Sequence, residues 1–127
     1  MNDPHTLGPQ GEKAAAEYLR KKGYRILERN YRYRRNEIDI IARDRGTICF
    51  IEVKTRSTAE KGDPLEAVTP QKQQEIIKAA KAYLAFSGNM QSDCRFDVIA
   101  VRVQNTNAGM TGPFVIQHVT DAFWATQ

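Results

Sequence analysis

Apolar residues gather in short runs along the chain, and their spacing predicts both strands and helices. Residues 38–42 and 48–53 are rich in β-branched side chains and flank a polar, glycine-containing segment at 44–47, which predicts a β-hairpin. Residues 9–22 and 69–87 carry apolar side chains three, four and seven positions apart, which is typical of helices that bury one face.

Three further strands are expected at residues 24–33, 95–103 and 114–119. The order is then helix, three strands, helix and two strands, which predicts an α/β sandwich with a central mixed β-sheet covered by helices. A chain of 127 residues is long enough to bury one core without disulfides or structural metal, so we expect a single domain over residues 1–127.

The segments between these elements are expected to be irregular. Residues 1–7 are interpreted as a flexible leader, and residues 57–68 as a mobile loop that either closes over substrate or is an ordinary connection. Residues 105–112 are rich in turn formers. Residues 121–124 predict a short terminal turn or helix, with Phe123 and Trp124 packing or mediating self-association.

Charged residues interrupt both runs of the predicted hairpin. Glu37 and Asp39 lie in the first run, and Glu52 and Lys54 in the second. If residues 45–46 form a two-residue turn, paired residue numbers sum to 91, and Asp39 stands opposite Glu52. A three-residue turn with a bulge would shift this pairing by one. Carboxylates opposed with Cβ atoms about 5 Å apart either share a proton or bind a cation.

The same register divides the hairpin into two faces, because side chains alternate along a strand. Ile38, Ile40 and Ala42 are expected to share one apolar face. Ile41 is expected to share the other face with the charged positions. One face would then be core, and the other apolar with a charged end.

This charged end fits a hard divalent ion. Mg²⁺ prefers carboxylate and carbonyl oxygens and binds through one or two protein carboxylates together with substrate phosphate. Lys54 beside it could orient or deprotonate water, or stabilise charge on a phosphate, which points to phosphodiester hydrolysis. The alternative is that the Glu-x-Lys pattern is a solvent-exposed ion pair on an edge strand.

Asp39, followed after twelve residues by Glu52-Val53-Lys54, resembles the PD-(D/E)xK nuclease signature, with Ile38 in place of its proline. The longer pattern, Gly11-Glu12 with residues 36–39 and 50–56, is similar to the YraN-like family of small bacterial proteins. That family is described as having a restriction-endonuclease-like fold, related to archaeal Holliday junction resolvases. The resemblance implies the order α-β-β-β-α-β-β and a Mg²⁺- or Mn²⁺-dependent endonuclease acting on DNA, including branched, Holliday-junction-like DNA.

The resemblance also implies roles for individual residues. Asp39 and Glu52 would ligate the metal, with the Val53 carbonyl as a further ligand. Glu12 would bind the metal directly or through water, although its first-turn position also allows it simply to complement a helix dipole. Lys54 would assist the attacking water, and Glu37 would support the site. The side chains assigned to phosphate and backbone contacts are Arg32, Arg34, Arg35, Arg56, Lys72 and Gln73.

The distribution of charge permits a nucleic-acid partner. The net charge is +4, and nine of the 19 basic residues fall within residues 13–35. Arginine alternates with tyrosine at residues 31–35, a pattern that either binds phosphates and stacks on bases or forms a polar edge strand. Lys72 and Gln73, likewise, are either phosphate contacts at a helix start or a solvated first turn.

Other function classes fit the sequence less well. No apolar run approaches the roughly 20 residues that span a bilayer, and the first residues lack a signal-peptide pattern, so a cytoplasmic location is expected. Cys49 and Cys94 are expected to be small, buried or partly buried thiols and not a disulfide, without zinc-ligand spacing to His5 or His118. The competing interpretations are a non-catalytic nucleic-acid-binding module and a protein-interaction subunit. Symmetric cutting of a junction would require a homodimer.

Overall fold

The computed structural model describes residues 4–57, 63–106 and 109–124. Helices and strands follow one another in the predicted α-β-β-β-α-β-β order, with one short 3₁₀ turn added before the second helix. The elements are α1 (Pro4–Lys21), β1 (Arg25–Tyr33), β2 (Asn36–Asp44), β3 (Thr47–Ser57), the 3₁₀ turn (Pro64–Ala67), α2 (Pro70–Phe86), β4 (Asp93–Thr106) and β5 (Gly109–Phe123).

All five strands form one sheet in chain order, β1-β2-β3-β4-β5. Neighbouring strands are antiparallel except β3 and β4, which are parallel. A parallel pair cannot be joined by a tight turn, so the chain leaves β3, passes through α2 and returns to start β4. The predicted α/β sandwich with a central mixed sheet is confirmed.

The two helices pack on opposite faces of this sheet, because alternate strand residues join different core clusters. On the α1 face, Ala15, Ala16 and Leu19 pack against apolar side chains that include Ile51 and Val101. On the α2 face, the fully buried members include Ile76, Ile41, Ile48, Phe50 and Val98.

The β2–β3 hairpin has the predicted register. Ile40 pairs with Ile51 and Asp44 with Thr47, so the paired numbers sum to 91. Arg45 begins the two-residue turn with a φ of 57°, the left-handed conformation that the first position of a primed turn requires. The alternative three-residue turn is therefore wrong.

One face assignment within the hairpin was wrong. Ile38 packs in the α2-side cluster with Ile41, whereas Ile40 packs on the α1 side. The alternation of side chains is broken at Asp39. The β2–β3 ladder also ends at this point, since Ile40 is the last β2 residue that pairs with β3.

The ends of the chain are more regular than predicted. α1 begins at Pro4, so residues 4–7 of the expected leader are helical, and Pro9 lies inside the helix. The expected terminal turn or helix at 121–124 is wrong, because β5 continues to Phe123, whose ring stacks on Phe96 with centroids 5.1 Å apart. Pairing with β4 supplies the hydrogen bonds that override the local turn formers in both terminal strands.

The expected irregular connections are shorter than predicted. β4 extends to Thr106 and β5 begins at Gly109, so strand replaces most of the expected turn at 105–112. Within the expected loop at 57–68, Pro64–Ala67 form the 3₁₀ turn, and residues 58–62 lie outside the described residues. Cys49 and Cys94 are free thiols, as expected; Cys49 is buried, but the expected burial of Cys94 is wrong, because this residue is exposed near the start of β4. No described helix has the length and apolar character to cross a membrane.

A buried polar network joins β4 to β5 and α1. The side chain of Asp97 is 0% exposed, and it lies 3.0 Å from Arg95 Nε and 2.8 Å from His118 Nε2. It also accepts the backbone N–H of Asp121 at 3.0 Å. Burial alone would raise the pKa of Asp97, but the hydrogen bonds from His118, Arg95 and the Asp121 backbone lower it overall.

The network extends outward from Arg95 and His118. Arg95 donates to the Tyr24 hydroxyl at 2.6 Å and pairs with Asp44 at 3.1 Å. The Tyr18 hydroxyl of α1 lies 3.2 Å from His118 Nδ1. Every charged group buried here has a partner of opposite charge or a hydrogen bond, which is the usual condition for burying charge.

Replacing Asp97 with alanine should cost about 3–5 kcal/mol of unfolding free energy, because it removes the buried carboxylate shared by Arg95, His118 and the Asp121 N–H and leaves Arg95 with Asp44 alone. Asp93→Ala, on the exposed first residue of the same strand, should change stability by less than about 0.5 kcal/mol. Urea unfolding at pH 7 measures both values. The lowered pKa means that this contribution is present above about pH 4 and is lost as the pH falls through the folded-state value. Equal stability of the two variants would contradict this account.

Candidate active site

The structure brings Asp39 and Glu52 together where the β2–β3 ladder ends. Asp39 Oδ2 accepts a hydrogen bond of 2.8 Å from the backbone N–H of Val53. The carboxylate thus accepts a bond that a main-chain carbonyl would accept in a regular strand pair. Glu52 contributes to raising the pKa of Asp39, both as a hydrogen-bond partner of the protonated carboxyl and as a like charge. Glu52 is only 4% exposed.

Two features show that nearby positive charge compensates the negative charge of this pair only in part. Burial, followed by the hydrogen bond with Glu52 and repulsion from its charge, raises the pKa of Asp39 to about 8. Within the described part of the chain, Glu52 Oε2 is buried and accepts no hydrogen bond. Its ion-pair partner, Lys72 Nζ of α2, lies 3.6 Å away, beyond hydrogen-bond distance. A buried carboxylate oxygen in this state is a favourable place for a cation.

Two lysines flank the pair. Lys54 lies two residues beyond Glu52 on β3 and is half-buried. Lys72 is held in the first turn of α2, where its backbone N–H donates to the side chain of the N-cap Thr69 at 3.2 Å. The interpretation of Glu-x-Lys as a solvent-exposed ion pair is wrong, because Glu52 is buried and pairs with a lysine from another element.

Glu12 approaches the pair from α1. Its Oε1 accepts a hydrogen bond of 2.7 Å from Asn30 Nδ2, which also donates to Glu37 at 3.2 Å. Desolvation raises the pKa of Glu12; the hydrogen bond from Asn30 opposes this shift, and the charges of Asp39 and Glu37 add to it. Because α1 begins at Pro4, Glu12 is not in the first turn, and the helix-dipole interpretation of this residue no longer applies.

Asn30 was missed by sequence reasoning. It has a φ of 52°, which asparagine adopts more readily than most residues, and β1 continues on both sides of it. Its side chain joins two carboxylates that would otherwise repel each other. The sequence feature that could have indicated its role is its position in the middle of a predicted strand, because asparagine is depleted in strands.

Gly11 explains how Glu12 comes this close to the sheet. A Cβ atom at position 11 would overlap the Thr55 hydroxyl of β3, so only glycine permits the contact between helix and strand. A Cβ atom at Gly8, three residues earlier in the same helix, would meet no other atom within 4 Å. The close approach is therefore local to the residue that precedes Glu12.

The predicted phosphate contacts are dispersed around this centre. Arg32 pairs with Glu37 at 3.2 Å, and the Arg34 guanidinium lies 5.3 Å from the centroid of the Tyr33 ring. Arg35 is exposed and Arg56 is half-buried. The Gln73 side chain donates to the Val68 carbonyl at 3.0 Å, which fixes the chain just before α2.

The fit of a metal ion rests on Asp39 and Glu52. Across residues 4–57, 63–106 and 109–124, no group of three or more His, Cys, Asp or Glu side chains is arranged to hold an ion. Glu12 therefore does not complete a three-carboxylate set with the pair. Mg²⁺ commonly binds one or two carboxylates and fills its remaining positions with water, carbonyl oxygen and substrate phosphate, so the residues present suit such an ion.

A model of "Uncharacterised protein family UPF0102" matches residues 11–101, which include Glu12, Asp39, Glu52, Lys54 and Lys72. The chain belongs to the UPF0102 family. The expected membership in the YraN-like family is thereby confirmed. UPF0102 proteins of Prosthecochloris aestuarii and Chlorobium limicola are 61% and 62% identical to it, over 96% and 97% of this chain and 96% and 95% of their own lengths. A UPF0102 protein of Geobacter sulfurreducens is 49% identical over 92% of this chain and 88% of its own.

Asp39→Asn should remove a pH-dependent loss of stability. Asparagine keeps an oxygen for the Val53 N–H and an amide that can donate to Glu52, but it carries no charge. In the wild type, the contribution of neutral Asp39 is fully present below its ordinary pKa near 4 and is lost as the pH rises through its folded-state value of about 8. Urea unfolding in EDTA should show the variant gaining on the wild type from pH 5 to pH 8.5.

The control for that experiment is Glu17→Gln, which neutralises an exposed carboxylate of α1. Its stability relative to the wild type should stay constant over the same pH range. A difference between Asp39→Asn and the wild type that did not change with pH would show that the two carboxyl groups are not coupled.

Gly11→Ala and Gly8→Ala should have opposite effects on stability. Alanine at position 8 fits open space in a helix and should stabilise the protein by about 0.5–1 kcal/mol. Alanine at position 11 overlaps Thr55 and should cost about 1–3 kcal/mol. Thermal unfolding of the two variants measures the difference. Stabilisation by Gly11→Ala would show that the close approach of α1 to β3 is not needed.

Proposed function

We propose that this protein is a divalent-metal-dependent endonuclease of the PD-(D/E)xK type that hydrolyses phosphodiester bonds in DNA. The observation that carries the proposal is the pair of half-buried Asp39 and buried Glu52, in which one Glu52 oxygen accepts no hydrogen bond from the described residues. A carboxylate pair with this shortage of positive charge is suited to a cation, and the lysines beside it are suited to phosphate.

Asp39 and Glu52 would hold Mg²⁺ or Mn²⁺, with the Val53 carbonyl as a further ligand and Glu12 acting through water, since it does not complete a three-carboxylate set with the pair. When bound, such an ion supplies Lewis acidity at the phosphate and lowers the pKa of water. Binding of the ion would displace the proton that the raised pKa keeps on Asp39 near neutral pH, so the affinity for metal should rise with pH.

The remaining groups would position substrate and move protons. Lys54 would orient the attacking water or stabilise the charge that develops on the phosphate. Lys72, on the first turn of α2, would exchange its contact with Glu52 for a phosphate oxygen when DNA binds. Asn30 would hold Glu12 and Glu37 in place, and the arginines of the β1–β2 hairpin would contact the DNA backbone.

Branched DNA is the substrate that the resemblance to junction resolvases favours. Symmetric cutting of a four-way junction needs two active centres related by a twofold axis, so this substrate would require a homodimer. A linear or nicked substrate makes no such demand. The form of DNA that is cut therefore also reports on the number of subunits that act together.

The test is cleavage of labelled linear, nicked, flapped and four-way DNA in EDTA, Mg²⁺ or Mn²⁺. The wild type should cut only with metal, and Glu52→Gln and Lys54→Ala should each lower the rate at least about 100-fold. Glu17→Gln and Lys13→Ala, which change exposed residues of α1, should cut at close to the wild-type rate. Fluorescence anisotropy should show that Glu52→Gln still binds DNA.

The result that would overturn the proposal is a wild-type protein that binds DNA but cuts none of the four substrates with either metal. The protein would then be a non-catalytic nucleic-acid-binding module on a nuclease-like fold. In that module, Glu52→Gln would bind DNA as well as the wild type or more tightly, because it removes a negative charge. Absence of salt-dependent DNA binding would indicate the protein-interaction subunit.

A further inference from the structure

A groove of about 720 Å³ lies between the β1–β2 turn and the second half of α2. Its walls come from two elements that are distant in sequence but adjacent on the α2 face of the sheet. The lining residues on α2 begin two turns beyond Lys72, so the groove lies along the same helix as the proposed active site. It is lined by Tyr33, Arg34, Arg35, Asn36, Lys78, Lys81, Ala82, Ala85 and Phe86.

The charge of the groove is entirely positive. Four of its nine lining residues are Arg34, Arg35, Lys78 and Lys81, and none is acidic. All four are exposed, and within the described residues none of them forms an ion pair. Unpaired like charges on facing walls repel each other, so a polyanion that lies between them relieves an existing repulsion.

The groove also presents aromatic rings to solvent. Phe86 is 76% exposed, which is unusual for so large an apolar side chain. Its ring centroid lies 6.3 Å from that of Tyr33, and the Arg34 guanidinium lies 5.3 Å from the Tyr33 centroid. The two rings contact each other, so a further planar group would stack on the outer side of Phe86. Such stacking requires a base whose face is free, which an intact duplex does not offer.

We propose that this groove binds an unpaired segment of DNA, with bases on Phe86 and Tyr33 and phosphates on the four cations. α2 spans about 21 Å from Lys72 to Phe86 at roughly 1.5 Å per residue. That length corresponds to about six nucleotides at 3.4 Å per phosphate on a B-form strand. Resting on the proposed nuclease function, the inference assigns a substrate in which an unpaired strand adjoins the duplex that is cut, as in a flap or a fork.

The test of the groove is binding in EDTA, so that it does not depend on cleavage. Fluorescence anisotropy compares a labelled 12-nucleotide oligothymidylate with a blunt 20-base-pair duplex. Phe86→Ala should weaken oligothymidylate binding about 5- to 150-fold, the equivalent of losing one stacked base, and should change duplex binding less than about twofold. Phe86 is exposed, so its replacement should leave the fold intact.

Matched controls separate the groove from the general surface. Met90→Ala removes another exposed apolar side chain that does not line the groove, and it should bind oligothymidylate as the wild type does. The double variant Lys78→Gln and Lys81→Gln should flatten the plot of log affinity against log salt concentration by about 0.7 for each phosphate that it no longer binds. Lys21→Gln with Lys22→Gln, at the end of α1 on the opposite face, should leave that slope unchanged.

Equal oligothymidylate binding by Phe86→Ala and the wild type would overturn the inference, and the groove would then fit a protein partner better. Tighter binding of oligouridylate than of oligothymidylate would overturn the assignment to DNA. The two proposals fail separately. If Phe86→Ala loses oligothymidylate binding but the wild type cuts no DNA with metal, the groove proposal is sustained and the nuclease proposal is rejected. If the wild type cuts DNA with metal but Phe86→Ala binds oligothymidylate unaltered, the nuclease proposal is sustained and the groove proposal is rejected.

Discussion

The placing of two neighbouring carboxylates, Glu52 buried and Asp39 half-buried, at the open end of one hairpin is the constraint around which the rest of the structure is arranged. Asp39 and Glu52 are brought together by a register that the Arg45 turn and the apolar pairs of β2 and β3 enforce. Each carboxylate then has a different support. Asp39 accepts the Val53 N–H, and Glu52 lies near the ammonium group of Lys72. Neither contact supplies enough positive charge to make the ionised pair stable without a proton or a cation.

A second buried carboxylate in the same sheet shows what full compensation looks like. Asp97 is more deeply buried than Asp39, yet its pKa is lowered because Arg95, His118 and a backbone N–H satisfy it. The pKa of Asp39 is raised, since its nearest charged neighbour is another acid. The contrast separates two uses of buried charge within one fold. The network around Asp97 fastens β4, β5 and α1 together, whereas the pair at Asp39 is where the proposed metal ion would bind.

The sequence was informative where local rules decide the outcome. The register set by a two-residue turn was enough to place Asp39 beside Glu52, although the predicted alternation of faces fails at Asp39, and Thr69-Pro70 marked the start of α2. Contacts between distant elements followed no such rule. The donation of Asn30 to Glu12 depends on how closely α1 approaches the sheet. The partners of Asp97 come from β4 and β5, and pairing with β4 extended β5 through residues that favour turns locally.

The position of α2 connects the two charged surfaces on its side of the sheet. Its first turn carries Lys72 to Glu52, and its last turn carries Phe86 to Tyr33. Because a helix is stiff over this length, the separation between the two contacts is fixed by residue count rather than by loop conformation. A strand bound at both ends would therefore be held in one register relative to the carboxylate pair. On the proposed function, this spacing would select the bond cut at the pair by its distance from an unpaired segment, without any need to read base sequence.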